Sequence, residues 1–181
     1  MSVFKETFSR ALLVIPSDNC NVPSPNLLAQ GSNTSYDILN PNVLTDNDIK
    51  FIRNASSEAT ASNGNVQYLV GVGDVVYSYS TGNAATVVQV ISDTELLLNA
   101  DIFQGNDNTE YFIYQEGPQT GLGNQGAYLY IEGSQNAGDI RVTTIGGDEM
   151  VVSKIIKPFF PIQVKKVWGG FSAEGSIYAV W

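Results

Sequence analysis

With 181 residues, 43% of them hydrophobic and only 15% charged, the chain has room for one medium domain or two small ones and apolar content enough for packed cores, which excludes wholesale disorder. Its net charge of −9 sets it against the phosphate backbone that dominates nucleic-acid affinity, so no nucleic-acid partner is expected. No apolar run approaches the roughly 20 residues of a membrane span, and no membrane role is expected either.

The place of the missing charges is taken by Asn, Ser, Thr and Gly, which favour turns and compete with helical hydrogen bonds. An all-β chain is the expectation. Its first 26 residues carry Pro16, Pro23 and Pro25, which deny a regular helix or a central strand, yet also Leu12, Leu13, Val14 and Ile15. Residues 1–26 therefore read as an extended arm that packs on a neighbour or on its own body. Cys20 is the single cysteine, which allows no intrachain disulfide and fits a reducing cytoplasm.

From 27 to 116 the pattern is strand, turn, strand, and a small SH3-like β-barrel is predicted. Val75, Tyr77 and Tyr79 share one face of a strand that follows the Gly71-Val72-Gly73-Asp74 turn. Thr81-Gly82-Asn83 supplies a hairpin into the β-branched run from Ala84 to Ile91, Ser92-Asp93-Thr94 turns into Glu95 to Leu98, and Tyr111 to Tyr114 closes the series. The one candidate helical stretch, Asn47 to Arg53, is short.

The stretch GPQTGLGNQG at 117–126 is a Gly-rich linker by composition. Beyond it, 127–181 holds five short β-branched or aromatic runs, at Ala127 to Glu132, Asp139 to Ile145, Glu149 to Ile156, Ile162 to Val167 and Ser176 to Trp181. They predict a compact antiparallel β-sandwich as a second module.

Chemistry finds little purchase. The chain has no histidine, the usual general base and commonest metal ligand, so Ser-His and Cys-His dyads are excluded. Cys20, between Asn19 and Asn21, lacks a local cation to activate it. Asp148 and Glu149 would point to opposite faces of a strand and fit a turn better than a glycosidase pair. The run from Asp101 to Glu110 is rich in oxygen donors of the kind calcium prefers, but lacks the EF-hand ligand spacing. No helical pattern follows the Gly71 turn, which argues for a β-turn over a phosphate loop. The Tyr77/Tyr79 and Tyr128/Tyr130 stripes suit either a core or a contact surface.

Three stretches carry a resemblance. VGVGDVVYSYSTGNAATVVQVISDTELLLNADIF at 70–103 runs on to EYFIYQ at 110–115; LYIEGSQNAGDIRVTTIGGDEMVV spans 129–152; FFPIQVKKVWGGFSAEGSIYAVW spans 159–181. With ALLVIPSDN at 11–19, the chain resembles virion structural proteins of tailed bacteriophages, especially myophages of marine cyanobacteria. It departs from them at Gly169-Gly170-Phe171-Ser172-Ala173, where a more Thr-rich turn is usual, and at Val180 in place of Leu. The resemblance implies a non-enzymatic structural protein of the virion, assembled in the host cytoplasm. Its foremost implied role is a capsid decoration or cement protein that stabilises the shell through protein–protein contacts with the major capsid protein or other virion proteins. A homo-oligomer such as a trimer is implied. A tail, neck or baseplate component is the alternative, and a carbohydrate-binding module the third reading. It brings no catalytic residue, cofactor or metal ligand. The expected interface residues are Leu12, Leu13, Val14 and Ile15 of the arm, with Tyr128, Tyr130, Trp168, Phe171, Tyr178 and Trp181 of the second module.

Overall fold

A computed structural model describes residues 9–51, 70–117, 126–132, 138–153, 159–170 and 175–181. Within them the protein is all-β: twelve strands, no helix, and two six-stranded antiparallel sheets. Asn47 to Phe51 is a bend rather than a helical turn, with Phe51 N–H bonded to the Asp93 carbonyl; Arg53 lies outside the described residues.

The first sheet is built from β2 (Leu27–Asn33), β3 (Val43–Thr45), β4 (Val75–Ser78), β5 (Asn83–Val90), β6 (Glu95–Leu98) and β7 (Thr109–Tyr114) in the order β2-β7-β4-β5-β6-β3. The β5–β6 ladder shifts register between Val87 and Gln89, a bulge that bends β5 and curls the sheet into a half-barrel. Its two edges meet where Thr34 N–H donates to the Thr45 carbonyl at 2.7 Å and Thr45 N–H to the Asn33 side-chain oxygen at 3.0 Å. Alternation sends Val76, Ala85, Val87, Tyr111 and Ile113 inward, onto Leu44, Phe51, Leu96, Leu98 and Phe103. Val75, Tyr77, Ala84 and Tyr114 point outward from the same strands, yet they too are buried. Something covers them.

The second sheet comprises β1 (Ala11–Leu13), β8 (Ala127–Glu132), β9 (Ile140–Thr144), β10 (Glu149–Val152), β11 (Phe159–Val167) and β12 (Ser176–Val180) in the order β1-β12-β8-β11-β9-β10. β11 pairs first with β8 and then with β9, with a register shift after Phe160, so the sheet bends there and closes Leu129 and Ile131 against Ile140, Val142 and Phe160. This packing is that of an all-β sandwich.

The cover on the half-barrel is the arm. Residues 9–26 do not project: β1 is the edge strand beside β12, flanked by bonds from Ser9 N–H to the Trp181 carbonyl (2.8 Å) and from Val14 N–H to the Ile177 carbonyl (2.7 Å). Beyond it, Ser17 and Val22 N–H groups donate to the Val167 and Lys165 carbonyls. Leu12, Ile15 and Cys20 pack on the outer face of the half-barrel, whereas Val14 and Val22 enter the core of the second sheet. One segment thus fills two cores, and Trp181 touches both. Gly117, at the head of the linker, lies so close to the Val22 carbonyl that a Cβ there would collide with it.

Candidate interaction surface

The pleat of the second sheet sorts the expected interface residues. Leu12, Val14 and Ile15 are buried in the chain itself, which corrects the expectation that they offer a surface to a partner. Burial of apolar side chains on the chain's own strands satisfies them at no cost in association entropy. Leu13, between Leu12 and Val14 but on the opposite face, stays 38% exposed. It faces Tyr178 on β12, Tyr178 faces Tyr130 on β8, and Tyr130 faces Phe159 on β11. These four side chains form one cross-strand row on the outer face of the sheet. Tyr130 is 42% exposed, its ring 6.4 Å from that of Tyr178, and Tyr128 stands 5.7 Å from Phe159. The sequence had pointed to every member except Phe159, whose strand begins earlier than its β-branched run.

Trp168 is pinned elsewhere. Its indole N–H donates to Thr143 Oγ1 at 2.9 Å, and Arg141 and Lys166 lie 4.3 and 3.9 Å from the ring centre, within cation–π range. Arg141 also pairs with Glu149 at 2.6 Å, so Glu149 serves the β9–β10 hairpin. Asp148 sits in that hairpin's turn, its N–H on Thr144 Oγ1. Phe171 lies outside the described residues, as do 118–125 of the linker. Trp181, partly buried between the two cores, is a joint rather than a free contact.

The Tyr77/Tyr79 stripe belongs to the joint as well. Tyr77 is fully buried, with Tyr79 and Tyr114 at 5.7 and 5.6 Å in edge-on contact, and burial raises both the Tyr77 and Tyr79 hydroxyls, keeping them protonated. Burial likewise pushes the Cys20 thiol up to about 11, against the pull of a Ser17 hydrogen bond. A buried neutral thiol is a poor nucleophile.

The oxygen-rich run from Asp101 to Glu110 spends several of its oxygens internally. Asp101 accepts from Phe103 and Gln104 N–H and from the Tyr36 hydroxyl, and Asp107 accepts from Tyr36 N–H. Among the described residues no group of three or more His, Cys, Asp or Glu side chains is placed to hold a metal. A polar cleft of about 260 Å³, lined by Ser17, Asp18, Asn83 and Asp101 among others, opens between the arm, the β4–β5 hairpin and the Gly169-Gly170 turn. Asp18 bridges it to the turn by accepting from Gly169 N–H at 3.1 Å.

A second apolar surface was missed by sequence reasoning. In the loop from β2 to β3, Ile38 and Leu39 are 82% and 84% exposed. The turn beneath them is held: Asp37 accepts from Leu39 N–H at 2.9 Å and from the Asn40 amide at 2.7 Å, and Asn40 N–H reaches the Asp37 carbonyl. Two aliphatic side chains are thus presented to water on a preorganised support. The only sequence signal was an Asp-Ile-Leu-Asn-Pro run, in which the Asx turn is legible but the exposure is not.

Charge divides the molecule unevenly. Residues 27–116 hold eleven of the 18 acidic and two of the 9 basic side chains, so the whole net charge of −9 falls on the half-barrel segment, while the arm and the second module are each balanced. The Ile38–Leu39 turn belongs to the acidic segment and carries Asp37 at its base, whereas the aromatic row belongs to strands of the arm and second module, whose charges balance. Compared with known proteins, the chain matches no family model, and neither a curated protein nor a solved structure matches it.

Proposed function

We propose that this protein is a non-enzymatic structural component of a tailed-phage particle, held in place by protein–protein contacts, with capsid decoration as its leading role and a tail, neck or baseplate position as the alternative. The observation that carries this reading is the pair of exposed aliphatic side chains at Ile38 and Leu39. They stand on a hydrogen-bonded turn where a protein working alone in water gains nothing by presenting them. Their acidic setting favours a partner that offers an apolar pocket with a basic rim, such as a neighbouring virion protein. Two β units joined through a shared arm support the same reading, because a rigid body loses little entropy when it docks. The resemblance to cyanophage virion proteins supplies the setting.

Copy number tests it. Densitometry of purified particles against the major capsid band should show the chain at copy numbers on the order of hundreds for a decoration protein, since shell symmetry repeats its site, and at about six or twelve for a tail or neck component. Its absence from purified particles would remove the reading.

A further inference from the structure

We infer that the arm and the second sheet form one body that opens from the half-barrel as a unit, about a hinge at residues 23–26 and Gly117, while both bodies stay folded. The closed form is the resting one. The inference goes beyond the proposed function and does not depend on it.

Bonding divides the molecule this way. Among the described residues, the backbone hydrogen bonds that residues 9–22 make to other elements all run to the second sheet or its end, from Ser9 and Arg10 at Trp181 to Val22 at Lys165. The half-barrel holds the same segment through side chains instead. Ser17 Oγ donates to the Ala84 carbonyl at 3.1 Å, and Thr86 Oγ1 and the Asn99 amide donate to the Asn19 carbonyl at 3.1 and 2.6 Å. The two crossings between the bodies lie side by side: Gly117, where the chain leaves the half-barrel, has no Cβ to push it off the Val22 carbonyl, and Gln115 accepts from Ser24 N–H and donates to the Asn26 carbonyl. Adjacent crossings leave a single line about which the bodies can part.

The opposite end of the joint is imperfectly closed. β4 runs from the crossings, where Val75 faces Tyr114, to the hairpin in which Ser78 faces Asn83, and it is at this hairpin that the cleft of about 260 Å³ opens between Asn83 and the arm at Ser17 and Asp18. Two of the three buried side-chain polar atoms that lack a hydrogen-bond partner among the described residues belong to this joint. One is the amide nitrogen of Asn83. The other is the hydroxyl of Tyr77, packed among Leu12, Ile15 and Cys20, where the Ile15 N–H turned towards it is a donor as well. A buried polar group without a partner forfeits its hydration, so opening at the hairpin end returns to both groups what closure withholds.

Cys20, sealed in the joint, reports its opening. The test is iodoacetamide labelling of the purified full chain at pH 8 along a urea series, with far-UV circular dichroism beside it for global unfolding. Labelling is expected to proceed through an opening that responds to urea clearly less than global unfolding does, because only the joint gains water. Tyr77→Phe deletes the unpartnered hydroxyl and keeps the ring, and should slow labelling by about tenfold. A disulfide between Leu13→Cys and Tyr178→Cys, at facing positions of β1 and β12, ties the arm to the second sheet and should leave the rate at the parent value. Three results would each overturn the inference. Labelling with the full urea dependence of global unfolding would mean that the joint opens only with the whole chain. Labelling unchanged or faster in Tyr77→Phe would mean that the hydroxyl is paired. Labelling suppressed by the tether would mean that the arm peels away from the second sheet by itself.

Discussion

The Tyr111 hydroxyl donates to Asp46 Oδ2 at 2.6 Å inside the half-barrel, directly over the backbone of Gly31. Both partners are essentially out of contact with water, and Asp46 Oδ1 accepts from Asp48 N–H at 2.8 Å, so the carboxylate ties β7 to the chain leaving β3. A Cβ at position 31 would collide with the carboxylate and the hydroxyl. Gly31→Ala is therefore expected to cost about 1 to 3 kcal/mol by overpacking, and Tyr111→Phe a similar amount by leaving a buried acceptor short of its donor. Urea unfolding of the two single variants and the double variant checks this: the double should lose clearly less than the sum, because each change breaks the same bond.

The arm should be essential to the fold. Leu12→Ala is expected to destabilise by about 2 to 5 kcal/mol, as for other buried leucines, and removal of residues 1–26 to leave the outer face of the half-barrel, with Val75, Tyr77 and Tyr114, bare and prone to aggregate. Cys20 reports on this. At pH 8 a thiol shifted to about 11 is almost wholly protonated and shielded, so labelling of the native chain should be slow and should speed up in Leu12→Ala in step with its lost stability. Rapid labelling of the parent chain would show that the arm is not seated.

Asp74 gives the molecule a pH term of definite sign. Its carboxyl pKa is raised above 3.8, chiefly by burial and further by the nearby Glu116, although Gly71 and Glu116 N–H groups donate to it. The folded state holds this proton more tightly than the unfolded chain, so the stabilisation is full below about pH 4 and declines as pH rises through the raised value. Asp74→Asn, which also sets an amide N–H against a backbone donor, lacks that dependence. The stability gap between parent and variant, followed by urea midpoints, should be widest in acid and narrow as pH increases.

Trp181→Ala removes the ring that touches both cores and should cost up to about 3 to 5 kcal/mol, towards the lower end because the ring is only partly buried. Tyr178→Ala, one residue away on the outer face, should melt much nearer to the parent. Equal melting losses would mean that the joint does not depend on the indole.

Sequence pattern located the strands whose residues alternate over a long enough run: β4, β5, β6 and β8 fall where periodicity and turn chemistry put them. β1 and β3 are only three residues each, too short for any period to register, and β2 is interrupted by Gly31, which is there for the Tyr111–Asp46 bond. The two-sided burial of the arm was illegible for a different reason. Leu12 pairs with Ala179, at the far end of the chain, and no local pattern encodes a partner that distant. Part of the linker's glycine content has a local cause that reads as flexibility: Gly117 and Gly126 each lie where a Cβ would collide with a carbonyl, of Val22 and Val164 respectively. For the candidate surface, residue type was enough to single out Leu13, Tyr130 and Tyr178, but register is a property of pairs, and only pairing turned three names into a row.

Because β1 belongs beside β12, the first strand to leave the ribosome among those described completes its ladder only when the last has been made. During synthesis the half-barrel can close, and the Leu12, Ile15 and Cys20 side of the arm can settle on it, well before the second sheet exists. What then remains unpaired is a strand edge, already held in place, with Val14 and Val22 turned towards the space the second core will occupy. The arm is in this sense a template laid down early, and the slowest event in folding should be the closure of the contact most distant in sequence, that of β12 onto β1.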